Sequence, residues 1–506
     1  MLRNPGRRRC IGAAPVALAL FLGGAGSCAR APAGGHGQGV LVIAIDGLRA
    51  DHVSALGYDR PTTPSLDALA RDGVLFAQAF ASSPSLLPSH ASLLTGCEPT
   101  VARRFLPNEF EGLKENRWRI PPRVPHLAIE LLSAGYATAA FLDDALLEPV
   151  HGFGPGFQVH QFLSEDSAQD WEGRQPARLV DHLLLWLRPL PSQRPWFAYL
   201  HISELERFWP TPDKDWDGYF QPRPELNRVP PVGNTDSVFF AVPRSRWRGG
   251  PRLLSQYEAS YDGHLRAIDA ELERLFASLR RLGRFERTTI LVVGTYGIQF
   301  GEAGLYACGG RYSMADLHVP WILRPSQEQE CTRGRVTQAL VSLLDVAPTV
   351  LELEGLAIPP GMHGVSEAAC AGPREPAGSA REFAFASCGV QEGCALIGQR
   401  YCLEYLVPAG TEDAQLRRSW FGDWVEPSLD PSLRFYDRLA TPYPPLTAGL
   451  RTGPDEEFER FRNKAAEWLR DMNEVRVHLQ AVAGSSPLDE AALQRLRDKG
   501  YLGTAR

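Results

Sequence analysis

A chain of 506 residues, 44% hydrophobic and 22% charged, is long enough to bury a large core and to hold more than one domain. Its formal net charge of −6 offers no basic footprint, which excludes nucleic acid from the expected partners. No stretch after the first thirty residues is apolar over a length that would cross a bilayer.

Arg3, Arg7, Arg8 and Arg9 precede an apolar run from Ile11 to Leu22, and small residues lead on to Cys28. That is the layout of a bacterial secretory signal over residues 1–28. Ala25-Gly26-Ser27-Cys28 also has the form of a lipobox, with Ala25 where leucine is usual. Two outcomes stay open: a lipid anchor on Cys28, or cleavage nearby with release of a soluble chain. Either places the protein outside the cytoplasm, in the periplasm or as an outer-membrane lipoprotein. Residues 29–39, rich in Gly, Ala and Pro, read as a flexible tether. Seven of the nine cysteines follow Cys28, and export would let some of them pair.

Val40 to Ile45 is a continuous apolar, β-branched run, the mark of a strand buried on both faces. Thr63-Pro64 opens a helix through Ala70 with a capping Thr, and Val74 to Ala81 is the next strand. His126 to Ser133 reads as helix, Ala137 to Leu142 as strand, Val180 to Leu187 as helix and Trp196 to Ile202 as strand. Glu206 to Pro251, dense in Pro, Trp and Arg, is an insertion over one end of the sheet. A long helix follows, with Tyr257, Tyr261, Leu265, Ile268, Leu272, Leu275 and Leu279 on its core face. Thr288 to Val293 and Pro320 to Leu323 are further strands.

This alternation predicts an α/β fold, a mainly parallel sheet sandwiched by helices, over residues 40–376. Glu382 to Ala386, Cys394 to Ile397 and Tyr401 to Val407 predict a smaller C-terminal α+β subdomain, antiparallel over residues 377–445. A helical tail over 446–506 carries Phe458, Phe461, Ala465, Trp468 and Met472 on one side and ends in a short helix, Pro487 to Gly503.

Ligands of open parallel sheets gather beyond the carboxyl ends of the strands. Asp46-Gly47, His201 to Glu206 and Gly294 to Gly301 all reach that edge. VLVIAIDGLRADHVSALGYDRPTTPSLDALARDGVLFAQAF (Val40 to Phe80), LLPSHASLLTG, YDGHLRAIDAELERL, VSLLDVAPTVLELEGLAIPPGMHG and the final LRDKGYLG together resemble the sulfatases of the alkaline phosphatase superfamily. The resemblance implies that fold, a loop from Ser85 to His90 that joins the three strand ends, a Cys, Ser or Thr nucleophile two residues before Pro88, and a Ca²⁺ or Mg²⁺ ion held by several carboxylates.

Position by position, the implied machinery is depleted. The nucleophile slot is Leu86, which has no attacking atom. Asp46 matches the first metal-binding Asp, while the adjacent acid is Gly47, a departure that some active relatives share. The late Asp-His-Gly is Thr295-Tyr296-Gly297, the acidic pair after it is Ile298-Gln299, and the next family histidines are Ala303 and Cys308. The Asp-Pro-His of the earlier loop is Glu204-Leu205-Glu206. A hard cation takes about six to eight oxygen ligands, so one aspartate leaves no resident metal expected; Ca²⁺ or Mg²⁺ is expected only if the protein is active.

Several residues keep two readings. Ser85 is either a displaced nucleophile or a loop hydroxyl bonded to backbone. His90 and Arg311 either hold an anion or serve structure, and His201 is a packed histidine or a pocket group. Cys308 is a soft-metal ligand or an inert thiol. Three functions follow: a degenerate sulfatase-like envelope protein binding an anionic or glycan ligand, a divergent sulfuric or phosphoric ester hydrolase, or a structural protein that binds a protein partner.

Overall fold

The computed structural model describes residues 38–99, 101, 119–122, 124–163, 175–207, 220–223, 253–302, 306–307, 312–374, 381–387, 393–406, 433–442 and 450–481. The expected helix from Pro487, Arg311, Ala303, Cys308 and nearly all of the insertion lie outside the described residues.

An eight-stranded sheet organises the chain. In order of sequence its strands are β1 (Gly39–Ile45), β2 (Val74–Phe80), β3 (Ala137–Leu142), β4 (Val159–Phe162), β5 (Trp196–Ile202), β6 (Thr288–Gly294), β9 (Trp321–Arg324) and β10 (Arg335–Ser342). A two-stranded ribbon, β7 (Gln299–Phe300) with β8 (Tyr306–Ala307), lies between β6 and β9 in the sequence. The sheet order is β10-β2-β9-β6-β1-β5-β3-β4. Every pairing is parallel except those of β9, which runs antiparallel to both β2 and β6.

Both faces are covered. Helices α1 (Pro64–Arg71), α4 (Gln175–Leu187) and α5 (Leu254–Arg281) pack on one face, while α2 (Leu86–Thr95), α3 (Leu127–Ser133) and α7 (Val346–Leu353) pack on the other. Side chains alternate across a strand, so Val40, Val42 and Ala44 join the α2 layer and Leu41, Ile43 and Ile45 join the α5 layer. That alternation continues to Asp46 and aims it toward α2. All seven apolar residues singled out on α5 are buried.

Two local expectations are corrected. Ser85 to His90 is not a loop: Leu86 is the first residue of α2, Ser85 its extended N-cap, and Gly96 (φ +63°) its left-handed stop. Pro88 fits because its missing N–H falls among the first four, which have no partner within the helix. Thr63 does not cap α1 with its own side chain; its hydroxyl donates to Asp67 Oδ1 at 3.1 Å. The cap comes from α5 instead, where Asp269 accepts from Ser65 N and Leu66 N, each at 2.9 Å.

The short helices α6 (Met314–Leu317) and α8 (Ala368–Ala371) complete the α/β part. Beyond it, β11 (Ala384–Ser387), β12 (Gly393–Ile397), β13 (Tyr401–Leu406) and β14 (Leu433–Asp437) form an antiparallel sheet. Helix α9 (Asp455–Ala481) packs on it, with Trp468 stacked on Phe385 at 4.9 Å. The five described cysteines, Cys97, Cys331, Cys370, Cys394 and Cys402, are free thiols, so the pairing that export would permit is not found among them.

At the opposite edge of the sheet from Asp46, Arg324 is fully buried and donates to Asp72, to Glu286 and to the carbonyls of Phe285 and Thr288. Its carboxylate partners are more than a third exposed, which screens them. Arg324→Ala is therefore expected to cost about 2 kcal/mol, chiefly through the two orphaned carbonyls, as read from a urea midpoint.

Candidate functional site

Ile45 of β1 pairs with Ile202 of β5 and with Gly294 of β6, so Asp46, Ser203 and Thr295 leave the sheet at one level. Asp46 is fully buried and both of its carboxylate oxygens are engaged. Oδ1 accepts from His90 Nε2 at 2.8 Å and from the Thr295 hydroxyl; Oδ2 accepts from His201 Nε2 at 2.8 Å. His90 and His201 are fully buried, and their rings meet edge to face at 4.7 Å. The residues that the sequence named at three strand and helix ends are thus one cluster.

Two residues that the sequence reading passed over stand behind the histidines. Tyr199 OH lies 2.5 Å from His90 Nδ1. Asp143 Oδ1 lies 3.2 Å from His201 Nδ1, an ion-pair distance whose angle falls outside a hydrogen bond. Both Asp143 oxygens accept from Ser203 N at 3.0 Å. Their signals were present: Tyr199 shares a face with His201 two residues on, and Asp143 directly follows β3.

Burial alone would raise the Asp46 carboxyl, but the charges and hydrogen bonds of His201 and His90 hold it well below the usual carboxylate range. For His201, burial works against the charged ring and is outweighed by Asp46, Asp143 and Asp144, which push it up to about 9. For His90 burial wins, and its pKa is lowered. A consistent proton assignment follows. His90 is neutral, donates from Nε2 and accepts the Tyr199 proton; His201 is an imidazolium between two carboxylates.

The remaining positions divide into polar and apolar. Tyr296 OH donates to Glu206, whose carboxyl is pushed up to about 8 by burial and then by Asp46. Glu204 turns away to His264 Nδ1 on α5, at 3.1 Å. Gln299 bonds Ser313 and Asp316, and burial pushes the Asp316 carboxyl up to about 8. Arg49 holds Glu302 at 2.6 Å and Asp51 at 2.7 Å. Leu205 and Ile298 are fully buried and close on Gly47: a Cβ at 47 would lie 2.6 Å from Ile298 Cδ1 and 3.2 Å from Leu205 Cβ. Leu86 is half-buried and packs on the core, and Ser85 contributes its carbonyl to Ser89 N at 3.2 Å.

Asp46, His90 and His201 present three ligating atoms within 4.8 Å of one another. The expectation of no resident metal counted carboxylates and did not foresee this group. Its donors are one carboxylate and two imidazoles, with bare or aliphatic side chains at 47, 205 and 298. That set does not fit the oxygen-rich shell a Ca²⁺ or Mg²⁺ ion takes.

Protons held in the folded state set a pH dependence. Glu206, Asp316 and Glu367 are each raised to about 8 and His201 to about 9, whereas the unfolded chain has released these protons by pH 7. A raised folded pKa contributes stability that is lost as pH rises through it. Each such proton gives a slope of about 1.4 kcal/mol per pH unit, so Tm is expected to fall by several degrees from pH 7 to pH 9. A flat or rising Tm in that window would contradict the assignment.

A family model described as Sulfatase matches residues 38–356. Among curated relatives, a sulfatase of Formosa agariphila is 25% identical over 364 residues, covering 63% of this chain and 69% of its own length. An arylsulfatase of Clostridium perfringens is 22% identical over 381 residues, covering 65% and 77%. Among solved structures, the phosphonate monoester hydrolase of Agrobacterium radiobacter superposes with a TM-score of 0.63 at 19% identity, covering 87% of this chain and 96% of that one.

Proposed function

The chain belongs to the sulfatase family, and from that premise we propose a degenerate member that has lost ordinary sulfuric and phosphoric ester hydrolysis. The observation that carries this reading is Leu86 at the first position of α2, where the family's attacking group would stand. An aliphatic side chain closes the covalent route. The packing at Gly47 and Ile298 supports it further, because the acids expected at those positions are replaced by a bare glycine and a fully buried isoleucine, neither of which can ligate a hard cation.

The retained function in this reading is binding of an anionic or glycan ligand at the carboxyl edge of the sheet. Tyr296 and the half-buried Glu206 are the polar groups there, whereas His90 is buried and bonded to Asp46 and Tyr199, and Ser85 is a structural N-cap. The signal-like layout of residues 1–28 supports an envelope location in this reading, either anchored by a lipid on Cys28 or released after cleavage nearby. Among the described residues no helix is long and apolar enough to cross a membrane.

One observation favours a second reading, a divergent hydrolase: the Asp46, His90 and His201 group beside the raised Glu206 carboxyl. Restoring the nucleophile separates the two. Leu86→Cys and Leu86→Ser are expected to show no turnover of aryl sulfates, phosphates or phosphonate monoesters with any divalent cation added. Turnover gained by either single change would mean that the rest of the site is intact.

A further inference from the structure

Asp46 directly follows β1, His90 lies on α2 and His201 on β5, three rigid elements whose packing fixes their separation. We infer that these three residues form a binding site for one borderline divalent transition cation of the Zn²⁺ class, distinct in chemistry from the hard cation that sulfatases hold. The inference does not rest on the loss of turnover proposed above; its readout is occupancy.

Three observations carry it. The donor atoms are right in kind and number: two imidazole nitrogens and a carboxylate oxygen within 4.8 Å of one another. Imidazole suits Zn²⁺, Cu²⁺, Ni²⁺ and related ions, whereas Ca²⁺ and Mg²⁺ select oxygen. All three residues are fully buried, so the side chains are held by packing and do not wander in solvent.

The third observation is what lies behind the ligands. A histidine that ligates through Nε2 characteristically directs its other nitrogen at a carboxylate, carbonyl or water, which fixes the ring. Each second nitrogen here has a polar group behind it: Tyr199 OH bonds His90 Nδ1 at 2.5 Å, and the Asp143 carboxylate stands 3.2 Å from His201 Nδ1, at ion-pair distance though off the hydrogen-bond angle. Asp143 is itself fixed by Ser203 N. The backing is therefore two layers deep on the His201 side. The 2.8 Å contacts from each Nε2 to Asp46 are the proton-filled state of the same group. Cation entry takes the place of both: His201 releases its Nε2 proton to solvent, and neutral His90 shifts its one ring proton from Nε2 to Nδ1, where it donates to the Tyr199 hydroxyl.

The test uses chelator-stripped, full-length protein and Zn²⁺ or Co²⁺ alone, followed by calorimetry, elemental analysis and thermal shift. One equivalent is expected to bind and raise Tm, and bound Co²⁺ is expected to show the visible absorption of a nitrogen-containing site. Millimolar Ca²⁺ or Mg²⁺ is expected to leave Tm unchanged. His90→Ala and His201→Ala should each lose the bound equivalent, and Asp143→Asn should weaken affinity by about 10- to 100-fold through the backing contact. Should either alanine variant fail to fold, the wild-type comparison of Zn²⁺ with Ca²⁺ and the Co²⁺ spectrum still decide. No uptake of Zn²⁺ or Co²⁺ by folded wild-type protein would overturn the inference. So would preferential uptake of Ca²⁺, or an equivalent that survives both histidine substitutions in folded protein.

Discussion

Asp46→Ala is expected to destabilise the protein by roughly 3–5 kcal/mol in the presence of chelator, the range for removing one partner from a buried charged pair. The substitution strips the acceptor from His90 Nε2, His201 Nε2 and the Thr295 hydroxyl together, all in fully buried residues. It also leaves His201 facing Asp143 alone. Asp46→Asn should cost less, because one oxygen still accepts while its amide NH₂ opposes a histidine N–H. The order Ala, then Asn, then wild type in urea midpoints checks the claim. A near-neutral Asp46→Ala would mean that the cluster does not hold β1, α2 and β5 together.

Gly47→Asp, which restores the family acid, is expected to cost a further-reaching 3–5 kcal/mol, roughly, from three sources. Gly47 has φ +73°, where an L side chain is strained by about 1–2 kcal/mol. Its Cβ would collide with Ile298, a fully buried side chain, and overpacking of this kind costs about 1–3 kcal/mol. The new carboxyl would also be buried beside Asp46, where like charge and desolvation force it neutral. Gly47→Ala isolates strain and clash from charge, and Ile298→Ala in the same chain should recover the clash component. Thermal or urea unfolding of the three variants reads each part. If Gly47→Asp unfolds like wild type, the site has room for the lost acid and the aliphatic closure is not a barrier to reversion.

Much of this architecture is legible in the sequence. Val40 to Ile45, Ala137 to Leu142 and Trp196 to Ile202 are strands at or within a residue of where the apolar runs place them, because central parallel strands carry no polar alternation to blur them. The elements missed have physical reasons. β4 is a four-residue edge strand, half-buried throughout, and β10 is broken by a register shift between Thr337 and Leu340. The loop expected over Ser85 to His90 comes from the family resemblance alone, and no local pattern contradicts helix there, since Pro88 in a first turn is compatible with it. The positions of Asp46, His90 and His201 were legible from strand ends and family motifs. Their mutual bonding was not, since it depends on α2 crossing above β1 and β5, which no local pattern encodes. Tyr199 and Asp143 escaped for the same reason: their roles are defined by the ring that each one backs.

The central claim is that Leu86 ends covalent ester hydrolysis on this fold. A single-turnover experiment, with full-length protein in excess over 4-nitrophenyl sulfate or a phenyl phosphonate ester and Ca²⁺, Mg²⁺, Mn²⁺ or Zn²⁺ supplied in turn, tests it most directly. The account predicts no nitrophenol or phenol above the rate in buffer with the same ion. Release approaching one equivalent per chain, abolished in Asp46→Asn, would contradict it.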